Sequence, residues 1–178
     1  HGGGLGYDFS SDNTKHHLNA YFSFQYTNRD SYYGGVGSGS PEEVEAANLA
    51  YGNTKDFTYV LGTQYVYKFD RCLFMPADLT AGIEYNFDGL DDVILGYNRN
   101  FNQDIHITSA FLQNEWKNKQ WSFLIGGRLD KHNLIDNVIF SPRVNLRYNP
   151  TESVNLRASY AGGFRAPQAF DEDLHVGV

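Results

Sequence analysis

A period-two alternation of apolar and polar residues recurs along this chain and fixes most of what it can become. From 18 to 26 the even positions are Leu18, Ala20, Phe22, Phe24 and Tyr26, set against Ser23, Gln25 and Thr27. From 57 to 69 the odd positions are Phe57, Tyr59, Leu61, Thr63, Tyr65, Tyr67 and Phe69; from 77 to 87 they are Ala77, Leu79, Ala81, Ile83, Tyr85 and Phe87. Trp121, Phe123, Ile125 and Leu129 continue the pattern, as do Phe140, Val144, Leu146 and Tyr148, and then Val154, Leu156, Ala158 and Tyr160. Side chains alternate across a strand, so each stretch is a strand with one apolar and one polar face. No charged residue falls on the apolar face of these six strands. With 13 Tyr, 13 Phe and 18 Gly, the composition favours strands and turns over helices.

Two further strands complete an antiparallel meander of about eight. One, around 3–10, is mostly glycine. In the other, 104–117, the apolar phase starts on Ile105 and Ile107 and slips to Ala110, Leu112 and Trp116, which predicts a β-bulge near Ser109. "PEEVEAANLAYG" (41–52) is the helical candidate. The pattern predicts long connections at 33–55 and 88–103, a medium one at 131–138, and short ones at 70–76, 117–120 and 149–153. Long and short alternate, so the long ones share one end of the sheet.

Two kinds of protein present such a sheet. One is a soluble β-sandwich or lipocalin-like ligand-binding domain with the apolar face inward. The other is a transmembrane barrel with that face on lipid. Several strands run to about a dozen residues, against ~5–6 typically and ~9–11 for a tilted bilayer crossing. Tyr67, Phe69, Trp116, Trp121 and Tyr148 lie close to short turns, where aromatic rings suit a membrane–water interface. The opposite face accepts Glu84, Gln113, Glu115, Arg128, Arg143, Arg147 and Arg157, as a water-lined wall does. A self-contained barrel of eight strands is disfavoured, because closure needs the weak first strand to pair with the last. A net charge of −7 with scattered basic residues argues against nucleic acid, and lone Cys72 excludes an internal disulfide framework. No apolar run is long enough for a transmembrane helix, and no signal peptide opens the chain, so an excised piece is expected.

The segments "FLQNEWKNKQWSFLIGGRLDKH" (111–132) and "FSPRVNLRYNPTESVNLRASYAGGFRAPQAFDEDLH" (140–175) resemble the barrel of TonB-dependent outer-membrane receptors. The specific match is over the last seventy or so residues: Phe-x-Pro-Arg, the Asn-Pro turn, and Gly163-Phe164-Arg165-Ala166-Pro167 followed by an acidic segment. The resemblance implies an all-β, up-and-down meander forming part of a transmembrane barrel of about 22 strands. It implies that 1–178 is a partial barrel domain, with the plug domain and remaining strands absent. It also implies active uptake of an iron chelate (siderophore) or a similar large nutrient such as haem or cobalamin, in the outer membrane of a Gram-negative bacterium. The implied partners are outer-membrane lipid, the receptor's own plug, the nutrient, and the TonB energy-coupling complex reached through a missing N-terminal segment.

On that frame the long loops are extracellular and the short turns periplasmic. Arg128, Arg143, Arg147, Arg157 and Arg165 are candidates for facing a plug or the lumen, where guanidinium groups pair with carboxylates; the plainer alternative is that they keep the wall wet. Tyr32, Tyr33 and His175 are the candidate ligand-loop residues, against the reading of an ordinary solvated loop. Haem-importing members are similar in placing a histidine soon after the Phe-Arg-Ala-Pro element, as His175 is here. No histidine pair has a recognised metal-ligand spacing, and Asp88, Asp91 and Asp92 read as a solvated acidic loop in preference to a calcium site. No cofactor or metal is expected. Catalytic motifs are missing, and Glu84 and Glu115 belong to a wall and not a pocket, so an enzyme is not expected.

Overall fold

The computed structural model describes residues 1–32, 40–94 and 99–164. They form one sheet of eight antiparallel strands in chain order: β1 (Gly2–Ser10), β2 (His16–Tyr32), β3 (Tyr51–Cys72), β4 (Met75–Ile94), β5 (Arg99–Lys117), β6 (Trp121–His132), β7 (Ile139–Thr151) and β8 (Val154–Ala161). One helix, α1 (Pro41–Leu49), lies in the connection from β2 to β3, inside the expected helical stretch. Among the described residues there is no second layer. The sheet ends at β1 on one edge and β8 on the other.

Register converts the alternation into a surface. Phe22 pairs with Leu61 and Leu61 with Tyr85; Ala20 pairs with Thr63, Thr63 with Ile83, and Ile83 with Ala110. Trp121 pairs with Tyr148, and Phe123 with Leu146. The apolar sets of the six clearly alternating strands therefore fall on one continuous face. That face is bare: Leu61 is 53% exposed, Ile83 61% and Leu112 56%, while among the described residues the buried hydrophobic ones are Ala77 and Ile105. A water-soluble sandwich would seal these side chains between two layers, so that alternative is overturned.

The face is banded along the strand direction. Phe57, Tyr59, Phe87 and His106 form an upper ring cluster, with Tyr59 and Phe87 centroids 5.1 Å apart and Phe87 and His106 5.0 Å apart. A lower cluster beside the short turns stacks Trp121 on Tyr148 at 4.1 Å and Trp116 between Phe74 and Phe123 at 5.6 and 5.7 Å. Ala20, Leu61, Thr63, Ala81, Ile83 and Leu112 fill the middle. Phe57 to Tyr67 along β3 spans about 33 Å at a strand rise of ~3.3 Å, and a tilt of ~40° turns that into about 25 Å, the height of a lipid-facing apolar band.

Two expectations are corrected. β5 pairs with β4 without interruption from Trp116–Ala77 to Arg99–Ile94, so there is no bulge near Ser109. Ile105 and Ile107 are simply on the other face. The register shifts occur at the short turns, between Phe69 and Cys72 and between Tyr148 and Thr151. The long connections are also shorter than expected, because the ladder continues into them: β3 begins at Tyr51, β4 runs to Ile94 and β5 starts at Arg99, so most of 88–103 is strand. At the opposite end the reversals are tight. Ser11 and Asn13 tie the β1–β2 turn, with Ser11 Oγ accepting from His16 N at 3.1 Å and Asn13 Oδ1 from Lys15 N at 3.0 Å. Asn118 Oδ1 accepts from Gln120 N and Trp121 N at 2.9 and 2.7 Å.

Candidate functional site

The polar face of the sheet carries the candidate site. Its central row is set by register: Tyr21 on β2 lies opposite Gly62 on β3, Gly62 opposite Glu84 on β4, Glu84 opposite Ser109 on β5, and Ser109 opposite Asp130 on β6. Gly62 has no side chain to intervene, so the Tyr21 ring lies across it and its hydroxyl donates to Glu84 Oε2. A Cβ at Gly62 would sit inside that ring. Phe111 covers Gly82 in the adjoining row in the same way.

Arg128 knits the row together. Its Nη2 donates to Glu84 Oε1 at 3.0 Å and Ser109 Oγ at 2.7 Å, and its Nε donates to Asp130 Oδ1 at 2.7 Å. Ser109 Oγ donates to Asp130 Oδ1 at 2.6 Å, and Asn86 Nδ2 to Glu84 Oε1 at 3.1 Å. Ser109 and Asp130 are buried, at 1% and 3% exposure. One guanidinium thus serves two carboxylates, and the wall itself satisfies Arg128.

The other candidate arginines among the described residues are placed differently. Arg143 and Arg147 on β7 and Arg157 on β8 share this face, with Arg147 directly opposite Arg157. Arg157 Nε donates to Asn155 Oδ1 at 2.8 Å, and Asn145, with its amide turned, accepts from Arg143 Nε at 3.3 Å. Arg147 Nε is buried without a hydrogen-bond partner. Between the two groups opens a recess of about 580 Å³, walled by Gln64, Gln113, Arg128, Arg143, Asn145 and Ser159. Phe111, Leu112, Pro142 and Ala161 share its lining with these amide, hydroxyl and guanidinium groups.

Tyr32 ends β2, where its ring meets Tyr51 at 4.8 Å. Tyr33, Arg165 and His175 lie outside the described residues. Asp91 points away from Asp88 and Asp92 by strand alternation, and Asp92 accepts from Thr54 Oγ1 at 2.6 Å. The described residues hold no group of three or more metal-ligating side chains. His16 and His106 are hydrogen-bonded to Tyr65 and Tyr85 at 2.6 and 2.7 Å; His106 belongs to the upper ring cluster, and the His16 ring meets Tyr67 at 4.9 Å. Sequence reasoning missed Tyr21, Asn86, Ser109 and Asp130. The signal was present in Gly62 and Gly82, gaps in otherwise bulky strands, but needed the register to be read.

A family model described as TonB dependent receptor-like, beta-barrel, matches residues 1–174. No curated protein matches the chain. The barrels of this family work in the outer membrane as receptors and transporters, in partnership with a plug and with TonB. A hydrocarbon-facing apolar band, a wetted inner wall and a family match over almost the whole chain agree, and the chain belongs to the TonB-dependent receptor β-barrel family.

Proposed function

We propose that this sheet is part of the barrel wall of a receptor that imports a scarce, large nutrient, with an iron chelate as first choice and haem or cobalamin as members of the same class. The rest of the receptor supplies a plug, the coupling segment for TonB and the remaining strands. The nutrient is captured at the long-connection end and passed inward without covalent change. The observation that carries this reading is the division of the sheet into a bare apolar face and an inner face rich in arginine, carboxylate and amide groups. Such a wall suits a broad, hydrated interior that a folded domain fills. The long extension of β2 to β5 beyond the upper ring cluster suits a raised mouth for a bulky ligand.

The test is uptake of radio-iron presented on a panel of chelates, with and without a protonophore, in cells carrying or lacking the full-length receptor. Energy-dependent uptake of one chelate that vanishes with the receptor is the expected result. Uptake of every chelate, haem and cobalamin unaffected by its loss refutes the assignment.

A further inference from the structure

We propose that a hollow on the lipid-facing side of β2 to β5, just above the upper ring cluster, seats the sugar headgroup of an outer-leaflet glycolipid. The inference rests on the proposed outward placing of the long-connection end, and it adds a lipid partner that the transport reading does not require. The hollow holds about 270 Å³. Tyr26, Lys55, Phe57, Asp91, Asn102 and Asp104 wall it, all of them on the outer face by register. Each of the four strands has both neighbours in the sheet, so the hollow owes nothing to an edge. Its floor is open because Gly89 stands between Phe57 and Asp104 in the cross-strand row. A Cβ there would lie 3.1 Å from Asp104 Oδ1 and 3.0 Å from the Phe87 ring, so the carboxylate leans over the glycine toward the rings.

Height and chemistry together select the occupant. Lys55 and Asp91 face each other one alternate position above Phe57 and Gly89, ~6.6 Å further along the strand and about 5 Å higher at a tilt of ~40°. The headgroup layer outside the hydrocarbon is about 5–7 Å deep, so these groups stand within it. Elsewhere on the outer face polar side chains are engaged: Tyr65 with His16, Tyr85 with His106, and Asn53 donating to Asn28 and Asp30 at 2.9 and 2.7 Å. The side chains of Lys55, Asp91, Asn102 and Asp104 make no hydrogen bond or ion pair among the described residues. Two carboxylates against one ammonium disfavour a bare phosphate. They accept without donating, which suits a ligand rich in hydroxyl donors. The exposed Tyr26 and Phe57 rings beside them offer flat apolar faces for the C–H side of a sugar ring. Further down the same strands, Ala20, Leu61, Thr63 and Thr108 line an apolar hollow of about 310 Å³, where an acyl chain hanging from the headgroup lies. Sugar above and hydrocarbon below describe a glycolipid and not a sugar in solution.

The experiment uses the full-length receptor purified in detergent, with assembly checked by the heat-dependent shift in gel mobility. Native mass spectrometry after incubation with rough lipopolysaccharide measures the complex of receptor and glycolipid. Wild type should retain the glycolipid, and Asp91→Asn with Asp104→Asn should weaken retention about ten-fold or more, as the loss of two charge-assisted acceptors implies. Should that variant fail to assemble, the exposed Asp104→Asn alone should still weaken retention. Asp12→Asn with Glu152→Gln makes the same change of charge at the short-turn end and should leave retention as in wild type. An assembled Asp91→Asn, Asp104→Asn receptor, or the single variant, that holds lipopolysaccharide as tightly as wild type overturns the site. So does an equal loss in the short-turn control. Equal retention of phosphatidylglycerol by wild type overturns it too, because the hollow then takes any anionic lipid. Displacement of lipopolysaccharide by millimolar free glucosamine does the same, because the occupant is then a soluble sugar. Chelate uptake by cells is scored separately. Receptor-dependent import with no glycolipid retained refutes the headgroup site alone, and retained glycolipid without import of any nutrient refutes the substrate assignment alone.

Discussion

Substituting Leu61 and Val60 by arginine, one at a time, separates the two faces of the wall. The residues are consecutive on β3 and point in opposite directions: Leu61 pairs with Phe22 and Tyr85, Val60 with Ser23 and Asn86. Leu61 lies near the middle of the interval from Phe57 to Tyr67, so Leu61→Arg sets a charge near the bilayer midplane. Such a charge on a barrel's lipid face costs about 2–4 kcal/mol, which lowers the folding equilibrium constant roughly 30- to 700-fold. Val60→Arg meets a serine, an asparagine and water, and should cost less than about 1 kcal/mol. Guanidinium unfolding in phospholipid vesicles, followed by tryptophan emission, measures both; Trp116 and Trp121 lie on the lipid-facing side and report its exposure. Equal losses, or a greater loss for Val60→Arg, would refute the assignment of faces.

Gly62→Ala drives a methyl group into the Tyr21 ring and should destabilise by about 1–3 kcal/mol, with recovery when Tyr21→Ser is added; a penalty unchanged by the second substitution would place the clash elsewhere. A double-mutant cycle of Glu84→Gln and Arg128→Gln should give a coupling of about 1 kcal/mol, below that of a dry pair because Arg128 is 37% exposed, and a zero coupling would contradict the shared hydrogen bond. Asp70 holds the Lys15 ammonium above its ordinary range in the β1–β2 turn. A raised ammonium pKa means the bridge is present below the unfolded value of about 10.4 and lost as pH rises beyond it. Asp70→Asn should therefore speed acylation of Lys15 at about pH 9.5, read by mass spectrometry, whereas an unchanged rate would show no coupling.

Within the apolar band the sequence declares the strands openly, because lipid on one side and water on the other impose a sharp contrast at every second residue. β5 was misread where that contrast fails. Its outer face carries Asp104, His106, Thr108 and Asn114, and His106 stays there by bonding Tyr85 and packing on Phe87. Ile105 and Ile107 then looked like the apolar phase although they face inward. The same loss of contrast hid the upper parts of β3, β4 and β5: once a strand leaves the bilayer both faces meet water, and a polar strand reads like a loop. For the candidate site, parity alone put Arg128, Arg143, Arg147 and Arg157 on the inner face. Which arginine has a carboxylate and which has another arginine opposite depends on cross-strand pairing, and one chain read alone gives no pairing.

The 22 residues of β3 amount to about 70 Å of strand, or some 55 Å of height at a tilt of ~40°, against a lipid-facing band of about 25 Å. About half of the surplus, residues 51–56 above Phe57 and roughly 15 Å of that height, is a stiff palisade with its own unbroken ladder of backbone hydrogen bonds. It holds the segment bearing α1 clear of the headgroup layer, so first contact with a diffusing solute takes place out in bulk water.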